Sequence, residues 1–184
     1  MQQYEIGIGL PNRFQLDLYQ AYEKEGGEGA NALAETKAEV RWALADWGKI
    51  WANPTLYAEW AIVSGGPDVA EFKLLLADDL APRWVWAANL VYETEVGGDK
   101  THTYEITGGI GRTMVDEMFS LGLQAKVAWE DTEADRGDFE NEILVGPSIQ
   151  YRPLPQMRID LAFMAGLTDD SPRSKTVAIA GWEF

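Results

Sequence analysis

Residues 176–184 (TVAIAGWEF) alternate without a break up to an aromatic carboxy-terminus, placing Ala178, Ala180, Trp182 and Phe184 on one side. A period of two is the signature of an extended strand, whose successive side chains face opposite ways, and a helix cannot satisfy it. The same pattern recurs along the whole chain. Runs with apolar residues at every second position begin at Tyr4, Phe14, Ala38, Leu56, Phe72, Trp84, Tyr104, Phe119, Ile143 and Met157. With the terminal run they number about eleven, and no helical stripe of comparable length competes. The predicted fold class is therefore all-β, antiparallel and up-and-down, in a single domain over residues 1–184.

What lies between the apolar positions decides which kind of β-protein this is. The alternate residues are strongly polar: Asp17 and Tyr19; Lys37, Glu39 and Arg41; Tyr57 and Glu59; Glu71 and Lys73. They continue with Arg83, Glu105, Lys126, Arg152, Arg158 and Asp160. A soluble sandwich would bury the apolar set and leave these in water. A barrel in lipid turns the apolar set outward and encloses the charges, so one pattern serves both. A chain of 184 residues with a formal charge of −15 would ordinarily be an acidic soluble domain. This one also carries eight Trp, seven Tyr and six Phe. It has no run of about 18 apolar residues that could cross a bilayer as a helix, yet a barrel strand needs only about 9–11 residues, every second one apolar. Absence of cysteine excludes disulfides and thiolate metal sites. The acidic balance excludes a nucleic-acid role, because no basic stripe exists to neutralise phosphates.

Connections and aromatics separate the two alternatives. Short turns at 11–12, 78–82, 112–116 and 153–155 alternate with longer glycine- and acid-rich links at 23–34, 64–69, 95–100, 131–140 and 168–174. Outer-membrane barrels have this asymmetry, with short periplasmic turns and long external loops. The exception is 47–54 (WGKIWANP), a longer link on the short side, for which one helical turn is predicted. Phe14, Trp84, Phe119, Tyr151, Trp182 and Phe184 fall near the short-turn ends, and Tyr22, Trp60, Tyr92, Tyr104 and Trp129 near the loop ends. Two such girdles are what two lipid–water interfaces select, and a buried sandwich core gives no reason for them. The expectation is a membrane-spanning antiparallel β-barrel of about 10–12 strands in the bacterial outer membrane. Single-chain bacterial barrels have an even strand number. An odd count points to a parent of twelve that has lost its first strand, to a miscounted run near 2–10 or 69–79, or to an edge supplied by another chain. No leader precedes the first run, and Met1 is expected to stand in place of a removed export signal.

The segments NRFQLDLY (12–19), VGPSIQYRP (145–153) and GLTDDSP (166–172) resemble the outer-membrane proteins of the meta-pathway phenol-degradation, transporter-like family. The resemblance covers most of the chain loosely and rests on strand-and-turn signatures. It implies a small barrel handling hydrophobic compounds. The terminal run is also similar to the signal read by the barrel-assembly machinery. Trp182 and Phe184 fit its aromatic positions, while Ile179 and Val177 stand where a glycine and a polar residue are usual.

The charged alternate residues are the candidate lumen lining. They could act as the selectivity lining of a pore, or as a salt-bridged plug filling a narrow barrel. Barrels of about eight strands are filled by side chains and those of about sixteen leave a channel, and twelve falls between. Neither cofactor nor metal nor catalysis is expected. The expected partners are outer-membrane lipid and lipopolysaccharide, the assembly machinery and small solutes. His102 is the only histidine. It has no serine nucleophile at a readable spacing for a lipase, and its pairing with Asp99 is too generic to indicate an omptin-like protease. The acidic run 131–140 (DTEADRGDFE) includes Arg136-Gly137-Asp138 but lacks EF-hand spacing, and is expected to be a solvated loop, with divalent bridging to lipopolysaccharide as the weaker alternative. Gly65-Gly66 and Gly97-Gly98 are expected to supply positive φ in turns. The expected function is a pore or transporter for small solutes. Its rival is a plugged barrel whose acidic external loops make an interaction.

Overall fold

A computed structural model of the protein describes residues 1–24, 31–116 and 118–184. Its strands are β1 (Gln2–Leu10), β2 (Phe14–Lys24), β3 (Asn31–Ala43), β4 (Thr55–Val63), β5 (Asp68–Ala81), β6 (Trp84–Val96), β7 (His102–Val115), β8 (Phe119–Asp131), β9 (Glu140–Leu154), β10 (Met157–Gly166) and β11 (Ser174–Trp182). Each pairs antiparallel with the next, in the order β1 to β11, and the single sheet curls into a half-barrel. The expectation of ten to twelve up-and-down strands is met.

Register follows from the alternation. Phe14, Trp42, Leu56, Leu74, Leu90, Ile106, Val127 and Ile143 are successive partners from β2 to β9, an apolar row unbroken by a polar residue across eight strands. A slip of one residue would turn a strand's inner set outward, bringing Arg41, Lys73, Glu105, Lys126 or Glu142 into that row from β3, β5, β7, β8 or β9. The row lies on the outer face, where Trp42, Leu56, Leu90 and Ile106 are each exposed. The opposite face closes on itself. Asp17, Glu39 and Tyr19 are 0, 1 and 6 % exposed although the sheet has only one layer, so this face is the concave one. Two glycines fit the curl. A Cβ on Gly146 of β9 would run into the Phe163 carbonyl of β10, and one on Gly7 of β1 into the Asp17 carboxylate.

One end of the sheet carries the short connections. A 3₁₀ turn at Pro11–Arg13 joins β1 to β2. Only Pro82 and Arg83 separate β5 from β6, and only Pro155 and Gln156 separate β9 from β10. Register shifts at Asp79/Ala81, Thr113/Val115 and Met157/Ile159 fall at this same end, where bulges tighten the twist into the turns. The predicted link over 23–34 lies largely on residues 25–30, outside the described residues. The links predicted at 64–69, 95–100 and 131–140 are shorter, at 64–67, 97–101 and 132–139, because the strands run further into them, and the link predicted at 168–174 is shifted by one residue to 167–173.

Three sequence expectations are corrected. Residues 47–54 form hydrogen-bonded turns and no helical turn. Gly65, Gly97 and Gly98 have φ of 79°, 112° and 57°, but Gly66 does not have positive φ. Phe184 lies beyond the end of β11, not within it. β1 and β11, the two ends of the sheet order, both run from the loop end to the turn end, so they cannot be antiparallel neighbours of each other.

Candidate functional site

The concave face is organised in rows set by register. Gly7, Asp17, Glu39, Glu59, Glu71, Glu93, Thr103, Glu130 and Glu140 are successive partners from β1 to β9. Five of these carboxylates stand directly opposite one another on β2 to β6, an arrangement that destabilises a sheet unless the charge is neutralised. The rows on either side supply the neutralisation. Lys37 bridges Glu35 at 3.0 Å and Glu59 at 3.4 Å. Arg41 contacts Glu39 and lies 3.7 Å from Asp17. Lys73 is 2.7 Å from Glu71. The Tyr19 hydroxyl donates to Glu39, and that of Tyr57 to Glu59 at 2.7 Å. Lys73 Nζ also sits 4.4 Å from the centre of the Tyr57 ring, a cation–π contact. Among the described residues Glu93 is the member of the five with no base in contact.

Barrel strands tilt against the barrel axis, so a row perpendicular to them climbs. This row starts within β1 at Gly7 and reaches the loop end at Glu140, the first residue of β9. Further along the wall, Lys126 joins Glu105 at 2.6 Å and Glu142 at 3.3 Å. Arg158 meets Asp160 at 2.7 Å, and Gln150 donates to the same Asp160 at 2.9 Å. Every one of these contacts joins residues of one strand or of adjacent strands. The ion pairs therefore run along the wall rather than across the interior. Glu5, Tyr19, Lys37, Tyr57 and Glu71 help to line a recess of about 280 Å³ beside the paired charges.

Of the candidate lining residues, Asp17, Lys37, Glu39, Arg41, Glu59, Glu71, Lys73, Glu105, Lys126, Arg158 and Asp160 share this face. Arg83 does not: it sits in the β5–β6 turn, exposed, 2.8 Å from Asp116. Arg152 keeps the parity of Gln150 and so the same side of β9, but is exposed at its turn end. Sequence reasoning left out Glu93 and Glu142, which stand next to the apolar positions Tyr92 and Ile143 and so belong to the other face by alternation. It also missed that the face is not charged throughout. Leu75, Val85 and Val91 lie on it, as do Leu144, Met164, Val177 and Ile179. Val177 and Ile179 pair with Ala162 and Asp160 on this inner side.

The girdle residues lie at the strand ends. At the turn end Phe14 stacks on Trp42 at 5.5 Å, the Arg112 guanidinium lies 5.6 Å from the Trp84 ring centre, and Phe119 pairs with Tyr151. Trp182 closes β11 on the outer face. At the loop end Tyr22 packs edge-on against Tyr4, Trp60 donates to Asp68 at 3.1 Å, and Tyr104 faces Tyr92 on one side and pairs with Trp129 on the other. His102 belongs to this outer band, its Nδ1 3.3 Å from the Tyr92 hydroxyl. The loops above are fastened together. Buried Asp131 holds Arg136 and accepts from the Gly137 amide at 2.9 Å, which ties down the Arg136-Gly137-Asp138 tripeptide. Lys100, 2.8 Å from Glu133, holds that exposed carboxyl below its ordinary pKa. Among the described residues no three acidic or histidine side chains are grouped to hold a metal ion.

No family model matches the chain, and no curated protein matches it. The resemblance of segments 12–19, 145–153 and 166–172 thus rests on those residues alone.

Proposed function

We propose that the chain is the wall of a transmembrane β-barrel in the bacterial outer membrane, through which small solutes pass. The observation that carries this is the inversion of the two faces. The exposed outer side is apolar over many strands and ringed with aromatics at both ends, while ionised groups are collected on the concave side. A soluble protein does not leave a patch of that extent uncovered, since exposed apolar patches on monomers rarely exceed a few hundred Å². Lipid is a solvent in which such a surface costs nothing and enclosed charge is retained.

An open path is favoured over a plug because the charge pairs lie along the wall. The mixed lining, acidic toward the loops and apolar at Leu144, Met164, Val177 and Ile179, suits small solutes with both polar and hydrophobic parts, in line with what the resemblance implies. Outer-membrane phospholipid, lipopolysaccharide and the assembly machinery, meeting the chain at the outer face and at β11, are the partners this role requires. No catalytic step or cofactor is part of it. The plugged interaction barrel has one observation in its favour, the fastened acidic loops around Asp131. Planar-bilayer recording of the purified protein separates the two. Steady conductance steps are expected for a path, and their absence at any protein concentration would support the plug.

A further inference from the structure

The link between β3 and β4 is the long connection at the turn end, and it is fastened at its root. Asn53 Nδ2 donates to the Ala77 carbonyl at 2.8 Å and the Ala52 amide to Asp78 Oδ2 at 2.9 Å. The Ala77 amide in turn donates to the Ala52 carbonyl at 2.8 Å, and Ala52 is buried. Ala52 and Asn53 both have left-handed backbone, φ 62° and 43°, which an L-residue adopts only where its surroundings hold it. The tip is the opposite in character. Trp47, Ile50 and Trp51 are 63, 44 and 79 % exposed. Two tryptophans held out by a braced link present a large apolar area to whatever surrounds the turn end.

The surroundings can be identified by continuity. The Trp51 ring lies 6.0 Å from that of Trp86, an outer-face residue of β6. The link thus extends the outer wall past its aromatic rim. Lys49 stands between the two tryptophans, and Arg13, 3.5 Å from Asp46, joins the β1–β2 turn to the same patch. Indole rings beside cations are the combination that settles among lipid headgroups, with rings at the acyl boundary and ammonium or guanidinium groups at phosphate.

We propose that residues 47–51 form an interfacial anchor seated in the phospholipid leaflet on the turn side of the barrel. This rests on the outer face meeting lipid. The test uses the full chain in phospholipid vesicles, with the environment-sensitive label NBD on an introduced cysteine, the protein having none of its own. Ile50→Cys keeps both tryptophans; Ile106→Cys on the outer face and Glu133→Cys in the loops serve as references. Lipids brominated near the headgroup should quench the label at 50, lipids brominated deep in the chains should quench that at 106, and neither should quench that at 133. Adding Trp47→Ala and Trp51→Ala should lower the quenching at 50 by about half or more, in protein whose heat-modifiable gel band confirms folding. A label at 50 that stays open to iodide while that at 106 is quenched overturns the anchor alone. A label at 50 shielded from iodide but not quenched by bromine overturns it in favour of a protein contact. If the label at 106 also escapes quenching, the lipid-facing wall itself is wrong.

Discussion

Arg41 is the residue on which the carboxylate row most depends, since it stands against two acids that are almost wholly buried, Asp17 and Glu39. Removing one partner of a buried ion pair strands the other charge. Arg41→Met should therefore destabilise the folded form by about 3–5 kcal/mol, read as a lower urea midpoint for loss of the fast-migrating gel band. Tyr57→Phe removes a single donor to Glu59, and should cost only about 1–2 kcal/mol in the same assay. Glu93→Gln is expected to leave stability nearly unchanged, because no base is held against it, and to weaken the preference for cations in conductance. A large loss of stability in Glu93→Gln would show that its charge is structural. Alternation alone made Asp17, Glu39 and Arg41 legible as one face. That Tyr19 and Tyr57 serve as hydroxyl donors within it was not legible, because the partners come from register across strands and not from spacing within one.

Within the strands, side-chain parity is the property to test. Leu123 on the outer face of β8 and Gln124 on its inner face are sequence neighbours. Leu123→Arg puts a charge into hydrocarbon and should cost about 2–4 kcal/mol, whereas Gln124→Arg should be tolerated; equal effects would remove the distinction between the faces. Gly146→Val should prevent a stable β9–β10 pairing and abolish the folded gel band, since its side chain would need the space of the Phe163 carbonyl. Strand number and the sorting of side chains into two faces were readable because only an extended strand has a period of two. Strand ends were less so: bulges near Asp79, Thr113 and Met157 carry pairing into the turns, and the extra residue of a bulge breaks the alternation by which a strand is read. The shape of 47–54 was missed for a related reason. Its bracing by Ala77 and Asp78 comes from β5, some 25 residues away in sequence.

For the molecule as a whole, the concave face carries more acids than bases, so a conducting barrel should prefer cations. Reversal potentials across a salt gradient would show it, and anion preference would contradict the proposed path. A continuous wall also has a geometric requirement. β1 and β11 run the same way, so an all-antiparallel closure needs a strand of opposite sense between them, and unpaired edges are costly in lipid. All of this depends on which face meets hydrocarbon. The most direct measurement is a spin-label scan along β8 in phospholipid vesicles, with single cysteines at Leu121, Leu123, Gln124, Ala125, Lys126 and Val127. Oxygen accessibility should peak at 121, 123, 125 and 127, and accessibility to a polar nickel reagent at 124 and 126. Labels at 121 and 123 closed to both reagents, with 124 and 126 open to bulk water in protein that stays folded without lipid or detergent, would contradict the account.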